Sequence, residues 1–340
     1  MIKSLSLIIC SKHRHEELHA LTKVLREMIP QLHCFFTIEL IVVEDVSEEP
    51  SQSESINEAD IYLTVEDENC GFGAIRQKGV DVASHDFIVF IDDDCLPCSE
   101  QWLVRLIEPF ADGNVVAVGG GILPQRGNSI AHAIALLGLP GGGLPRFLQV
   151  GNAPVESEQL STGNLALRRQ AVIEAGGFDT RHRFGGEDQQ LVGKLKGRRL
   201  FVPEALVEHR NRDRFLDVFG WFSRRGRSEY CINRLAGMTK IASLIQPFRW
   251  SWSWRLLLLL AIAFSAGMQF LIAVIALYYV GLLIQVYVKN SDQSENSIVE
   301  TKRKESLTFT VLLIAPLVKL CMDFGRETGR LAAWIGDQGE

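Results

Sequence analysis

Three consecutive carboxylates, Asp92, Asp93 and Asp94, close the apolar run FIVFIDDD. Carboxylates held side by side repel one another, so local structure alone does not favour the triplet. A hard divalent cation relieves the repulsion, because Mg²⁺ and Mn²⁺ take oxygen ligands and commonly share them with the phosphates of a substrate. The alternative is a solvated turn whose carboxylates cap a helix. Two further polar clusters follow apolar runs in the same way, Ser11–Arg14 after SLSLIIC and Glu44-Asp45 after IELIVV. A second carboxylate pair, Glu187-Asp188, opens a helix-like stretch. A positioned carboxylate can take a proton from an attacking hydroxyl, although two acids also simply favour a helix N-terminus. His209 ends the run PEALVEH. Imidazole is a common metal ligand, and it is as readily a structural side chain.

The elements that must hold these groups follow from periodicity. Leu5–Cys10, Ile38–Val43, Ile61–Val65, Phe87–Ile91 and Val115–Val118 are short apolar runs, as expected of strands buried on both faces. Helical spacing is expected over His15–Met28, Gly73–Ala83 and Trp102 to Phe110, the last capped by Ser99. Strand alternating with helix implies a mostly parallel sheet with right-handed crossovers. The three polar clusters then fall at the carboxyl ends of parallel strands, where ligands bind in open α/β sheets. The first turn, SKHRHEE, has no G-x-G-x-x-G, which disfavours a dinucleotide dehydrogenase. Gly119–Gly121 and Gly138–Gly143 read as loops bracketing a flexible region. Leu160–Leu167 and Leu206–Glu208 are expected as further strands, with a helix over Glu187–Leu195 between them.

The chain has 340 residues and a net charge of −6, which argues against a general nucleic-acid binder. Its seven cysteines are an odd number without a framework. They indicate a reducing compartment, and the pair Cys95–Cys98 is expected to be incidental rather than redox-active. The N-terminus lacks the apolar stretch of a signal peptide. Hydrophobicity is concentrated instead near the C-terminus, where Leu256–Val288 is 33 residues without a charge. As one helix it would be about 50 Å long against a hydrocarbon core of about 30 Å. A hairpin of two short spans is therefore expected over about 255–288, with one long tilted span as the alternative. The basic residues Lys289, Lys302, Arg303 and Lys304 favour return to the cytoplasmic side. Residues 307–323 are expected to form a third, interfacial or re-entrant helix broken at Pro316, and Trp250, Trp252 and Trp254 an interfacial belt.

Four segments in order resemble the family 2 glycosyltransferases. SLSLIICSKHR and IELIVVEDVS are similar to that family's first two strands. NCGFGAIRQKGVDVASHDFIVFIDDDCLPCSEQWL is similar to its metal-binding D-x-D region. NLALRRQAVIEAGGFDTRHRFGGEDQQLVGKLKGRRLFVPEALVEHR resembles its acceptor half. The resemblance covers about residues 4–230. It implies a GT-A fold, Rossmann-like with a mostly parallel sheet, over residues 1–235. A juxtamembrane linker (236–254) and a membrane region of transmembrane and interfacial helices (255–340) would follow. By the same resemblance Asp188 is the catalytic base, with Glu187 its neighbour or substitute. Ser11, Asp45, Arg76, Asp92 and Asp93 would bind the donor, and Asp92, Asp94 and His209 a divalent Mg²⁺ or Mn²⁺. The loop Cys10-Ser11-Lys12-His13 and the pair Glu44-Asp45 depart from the family's usual residues, which leaves the nucleotide open.

The implied activity is inverting transfer of a sugar from a nucleotide-diphosphate sugar to a membrane-associated, lipid-linked or glycan acceptor. The implied setting is surface polysaccharide or glycolipid synthesis. The expected location is the cytoplasmic (inner) membrane, multi-pass, with the catalytic domain in the cytoplasm. An arginine-rich stretch around Trp221, Arg224 and Arg225 suits lipid headgroups or a phosphate-bearing acceptor, or else a solvated helix face. The alternatives are a non-catalytic, membrane-tethered nucleotide-sugar binding protein and a processive polysaccharide synthase, the latter suggested by Gln246-Pro247-Phe248-Arg249-Trp250.

Overall fold

Apolar strands buried on both faces build the centre of the N-terminal part of the chain. In the computed structural model, which describes residues 3–47, 57–67, 70–245, 259–260, 264 and 268–337, the elements run in the following order. They are β1 (Lys3–Lys12), α1 (His15–Leu32), β2 (Phe36–Asp45), β3 (Ile61–Val65), α2 (Phe72–Val82), β4 (Phe87–Asp92), β5 (Cys95–Pro97), α3 (Gln101–Ile107), β6 (Val115–Pro124), α4 (Ser129–Leu136) and α5 (Gly143–Val150). There follow β7 (Val155–Glu156), β8 (Asn164–Arg168), α6 (Arg169–Glu174), α7 (Glu187–Lys194), β9 (Arg198–His209), α8 (Phe215–Leu235), α9 (Lys240–Ile245), α10 (Met268–Lys289), α11 (Ser297–Ser306) and α12 (Phe309–Gly336). The chain divides into two compact units, Met1–Gln125 with Val150–Arg210, and Arg126–Gln149 with Asn211–Glu340. Residues 126–149 and 211–235, which the sequence assigns to the first domain, thus group with the C-terminal helices.

The first unit holds one sheet in the order β3-β2-β1-β4-β8-β6-β9-β5, with β7 on β9. β3, β2, β1 and β4 are parallel, as are β6 and β9, whereas β8 runs against both β4 and β6. Leu5, Leu7, Ile9, Leu40, Val42, Val89 and Ile91 are fully buried, and Leu18, Leu21 and Leu25 of α1 with Trp102, Leu103 and Leu106 of α3 cover one face. Each such side chain contributes about 1.5–3 kcal/mol by leaving water.

Three local expectations change. β6 runs on through Gly119–Gly121 to Pro124, so these glycines are strand rather than loop. A Cβ on Gly119 or Gly120 would collide with Leu160 or with Asn164 and the carbonyl of Ala205. The strand from Leu160 starts only at Asn164, and Leu206–Glu208 is the end of the twelve-residue β9. Helix α3 has no side-chain cap. Ser99 serves it only through its backbone carbonyl, which accepts from the Trp102 N–H at 3.1 Å.

The second unit is helical. α8 and α12 touch backbone to backbone. A Cβ on Gly226 would strike the Arg326 backbone, and one on Gly329 the Ser223 backbone. Small residues spaced four apart, here Gly325 and Gly329, permit such a crossing. The seam also carries charge. Arg330 is fully buried and pairs with Glu229 at 3.3 Å and with Glu327, and Arg326 meets Glu229 at 3.3 Å.

Of the expected hairpin, α10 accounts for the second half as one continuous helix, while much of the first half, and the Trp250–Trp254 belt with Gln246–Trp250, lie outside the described residues. Within α10, Ile272–Lys289 is long and apolar enough to cross a bilayer, with mean hydropathy 1.9. Tyr278, Leu282 and Val286 are buried, whereas Ile272, Ile275, Leu277, Val280 and Ile284 are exposed. The third helix differs from its expected bounds. It does not break at Pro316 but runs from Phe309 to Gly336. Together α11 and α12 make a pair bent by 79°.

Candidate active site

The site lies at the carboxyl edge of β1, β2 and β4, where the parallel registers end side by side. Lys12 is paired with Asp45 across β1 and β2, and Cys10 with Asp92 across β1 and β4. Each strand delivers its last residues to one rim.

At the β2 end, Asp45 is buried. It is held by the Ser47 hydroxyl at 2.5 Å, the Ser47 N–H at 3.0 Å and the Lys12 ammonium at 3.0 Å. Burial alone would raise its pKa, but the Ser47 bonds and Lys12 outweigh it and hold the carboxyl below its usual range. Its neighbour Glu44 is fully buried, faces His15 Nδ1 at 2.8 Å and accepts from the Tyr62 hydroxyl.

The three aspartates part company. Asp93 accepts from the Ser11 hydroxyl at 2.7 Å and from Arg14 at 2.8 Å. Its burial pushes its pKa well up, against the pull of Arg14. Asp94 is shared: Oδ1 lies 3.2 Å from His209 Nε2, and Oδ2 is bound by Arg14. The antiparallel pairing of β5 with β9 makes this contact, because Cys95 sits opposite His209. Asp92 turns to Arg76, 3.1 Å away, and Arg76 in turn binds Glu187. Of the three side chains expected to hold a metal, the structure therefore brings Asp94 and His209 together and gives Asp92 to Arg76. Among the described residues no three His, Cys, Asp or Glu side chains form a metal cluster. The Asp94 oxygen and His209 nitrogen nevertheless fit a divalent ion in kind and spacing.

The acid pair at the start of α7 also divides. Glu187 is 3 % exposed and locked to Arg76. Burial raises its pKa, with the Arg76 guanidinium pulling the other way. Asp188 is half-buried, and its Oδ1 accepts from the Gln189 N–H at 2.7 Å. Gly186 precedes them with φ +88°, a conformation that glycine adopts without strain, and so turns the chain into α7. The loop before it is pressed onto the start of α2: a Cβ on Gly71 or Gly73 would strike Arg183 or Asp179. The glycines of NCGFGAIR thus serve close packing of this loop rather than a phosphate cradle.

Cys95 is fully buried beside the aspartates, and that burial pushes its thiol pKa far up. Neither Cys95 nor Cys98 forms a disulfide. Trp221, Arg224 and Arg225 belong to the second unit. There Arg212 lies over the Trp221 ring at 4.4 Å and Arg225 at 5.7 Å, and Arg224 and Arg225 are exposed. Residues the sequence placed in the cluster without a role are Arg14 and Glu44. Lys12, also within the first cluster, pairs with Asp45, whereas His15 and Tyr62 join only in three dimensions.

The family model described as Glycosyl transferase family 2 matches residues 6–172. A "Pre-mycofactocin glycosyltransferase" of Mycobacterium tuberculosis is 31 % identical over 202 residues, covering 55 % of this chain and 40 % of that protein. A "Glucosyl-dolichyl phosphate glucuronosyltransferase" of Haloferax volcanii is 24 % identical over 184 residues, covering 52 % and 56 %. The chain thus spans about half the length of these curated relatives. A mannosyltransferase from Pyrobaculum calidifontis, solved with GDP-Man and Mn²⁺, superimposes with a TM-score of 0.55 at 16 % identity, over 94 % of this chain and 87 % of that one, and so shares the fold. The match places a glycosyl transferase family 2 domain at residues 6–172, and the strand order with the Pyrobaculum likeness shows its GT-A fold.

Proposed function

We propose that the protein is a metal-dependent, inverting glycosyltransferase that moves a sugar from a nucleotide-diphosphate sugar to a membrane-associated acceptor, in surface polysaccharide or glycolipid synthesis. The observation that carries the reading is the convergence of Asp45, Asp93, Asp94 with His209, and Arg76 with Glu187 at one sheet edge. Asp45 holds the nucleoside, and Ser11, Arg76, Asp92 and Asp93 line the donor. Asp94 and His209 would hold Mg²⁺ or Mn²⁺, with Asp92 joining them if Arg76 yields it. Such an ion supplies Lewis-acid stabilisation of the leaving diphosphate.

Asp188 is the base. Glu187 is committed to Arg76, whereas Asp188 stands at the first turn of α7 with its side chain half-buried. It takes the proton of the acceptor hydroxyl, whose oxygen bonds to the anomeric carbon from the face opposite the departing diphosphate. One displacement inverts the configuration.

Membrane association is supported by the exposed apolar face of α10 and by the lipid-phosphate sugar in the name of the Haloferax relative. The catalytic unit faces the cytoplasm in this reading, with Trp221, Arg224 and Arg225 toward lipid headgroups or an acceptor phosphate. Confining enzyme and acceptor to one surface raises their effective concentration.

The test is nucleotide release by the purified full-length protein from UDP-, GDP- and dTDP-sugars, with Mn²⁺ or Mg²⁺ and a membrane lipid extract. Release that needs metal and lipid, and is lost in Asp94→Ala and Asp188→Asn, supports the transferase. Donor binding without turnover, unchanged by Asp188→Asn, supports the binding-protein alternative instead.

A further inference from the structure

Arg14 occupies an unusual place. Its guanidinium bonds Asp93 Oδ1 at 2.8 Å and also holds Asp94 Oδ2, while the other oxygen of Asp94 faces His209 at 3.2 Å. Asp93 and Asp94 are both nearly buried, and Arg14 is a third exposed. The arginine therefore stands on the open side of two carboxylates that would otherwise repel one another. It is delivered there by a short, constrained loop: His13, just before it, has φ +53°, and Ser11 already bonds Asp93. Such a left-handed conformation costs a residue other than glycine about 1–3 kcal/mol and persists where the surroundings require it.

A guanidinium on Oδ2 of Asp94 and a divalent ion on Oδ1 would sit on neighbouring oxygens and repel one another. We propose that Arg14 is a tethered counter-cation for Asp93 and Asp94, that a divalent ion at Asp94 and His209 displaces it, and that the released guanidinium then engages the donor diphosphate. The inference rests on the metal-dependent reading above and assigns a further residue to it. Arginine suits both positions, since its planar fork binds carboxylate and phosphate alike. Coupling follows by linkage. The ion alone binds weakly because it must first expel Arg14, and a diphosphate binds more tightly once Arg14 is free to meet it.

The experiment titrates the full-length protein with Mn²⁺ alone, followed by electron paramagnetic resonance, and then with inorganic pyrophosphate in saturating Mn²⁺, followed by calorimetry. The proteins are wild type, Arg14→Gln and Arg14→Lys. Arg14→Gln is expected to bind Mn²⁺ alone at least about tenfold more tightly than wild type and Mn²⁺-pyrophosphate about tenfold more weakly. Arg14→Lys, which keeps the charge, stays near wild type for Mn²⁺ and shows that a misfolded site is not the cause. Equal or weaker Mn²⁺ binding by Arg14→Gln overturns the displacement, and unchanged pyrophosphate binding overturns the hand-off. If neither wild type nor any variant binds Mn²⁺, the metal-dependent reading itself falls and takes the inference with it.

Discussion

Arg76 reaches 111 residues along the chain to Glu187, and this buried pair separates the two carboxylates that open α7. Glu187 becomes part of the frame, tied through Arg76 to Asp92. Asp188 is left to face solvent in part. Adjacent acids of the same kind thereby acquire different work.

Substitution should reveal the division. Asp188→Asn is expected to lower kcat by about 10²–10⁴-fold, the usual contribution of a general base, with donor affinity and melting temperature near wild type. Glu187→Gln should instead cost about 3–5 kcal/mol of stability, because it leaves the Arg76 guanidinium buried with Asp92 as its remaining ion-pair partner among the described residues. Steady-state kinetics beside thermal unfolding of both variants separates the two effects. Equal melting temperatures would contradict the framing role of Glu187.

Metal affinity should follow the Asp94–His209 contact. Asp94→Ala is expected to abolish Mn²⁺ binding measured by calorimetry, and His209→Gln to weaken it by at least about tenfold. His209→Gln leaves β5 and β9 paired through their backbones, so circular dichroism should be unchanged.

Asp45 predicts a pH dependence. Its carboxyl titrates below the ordinary range in the folded protein, so the folded state gains from its ionisation. That stabilisation is fully present above the unfolded carboxylate pKa, about 3.9, and is lost as pH falls through the lower folded value. Asp45→Asn should therefore be less stable than wild type by a constant margin from pH 7 down to about pH 5, and the margin should close in stronger acid. Urea denaturation at pH 3, 4, 5 and 7 measures it.

The α8–α12 seam predicts opposite outcomes for glycines on the same helix. Nothing approaches a Cβ placed on Gly220, whereas one on Gly226 would strike Arg326. Gly220→Ala should stabilise by about 0.5–1 kcal/mol, through reduced freedom of the unfolded chain. Gly226→Ala and Gly329→Ala should destabilise by about 1–3 kcal/mol or more. Thermal melts of the three variants suffice.

What the sequence disclosed and what it hid follow from the range of the forces involved. β1, β2 and β4 announce themselves because strands buried on both faces need apolar runs, while β3, only partly buried, shows more weakly. The clusters at their ends are legible for the same reason, since charged residues collect where the strand leaves the core. β6 was hidden beyond Val118 by three glycines, whose place in a strand depends on Leu160 and Asn164 pressing against them. α12 was hidden by Pro316, which the sequence reads as a stop and the helix accommodates. The pairs Arg76–Glu187 and Asp94–His209 join residues far apart in the chain, and no local pattern encodes them. Arg14 sat in plain view beside Ser11, but its carboxylate partners lie about eighty positions away.

The glycine seam between α8 and α12 has a topological consequence. Its two helices flank the apolar stretch in the sequence, α8 before and α12 after, yet their backbones lie in contact. The stretches that touch, residues 219–226 and 325–329, have a single address relative to a bilayer. Passages through the lipid between those two stretches must then be even in number, zero included. An odd number would place the partners of the seam on opposite sides of an insulating film.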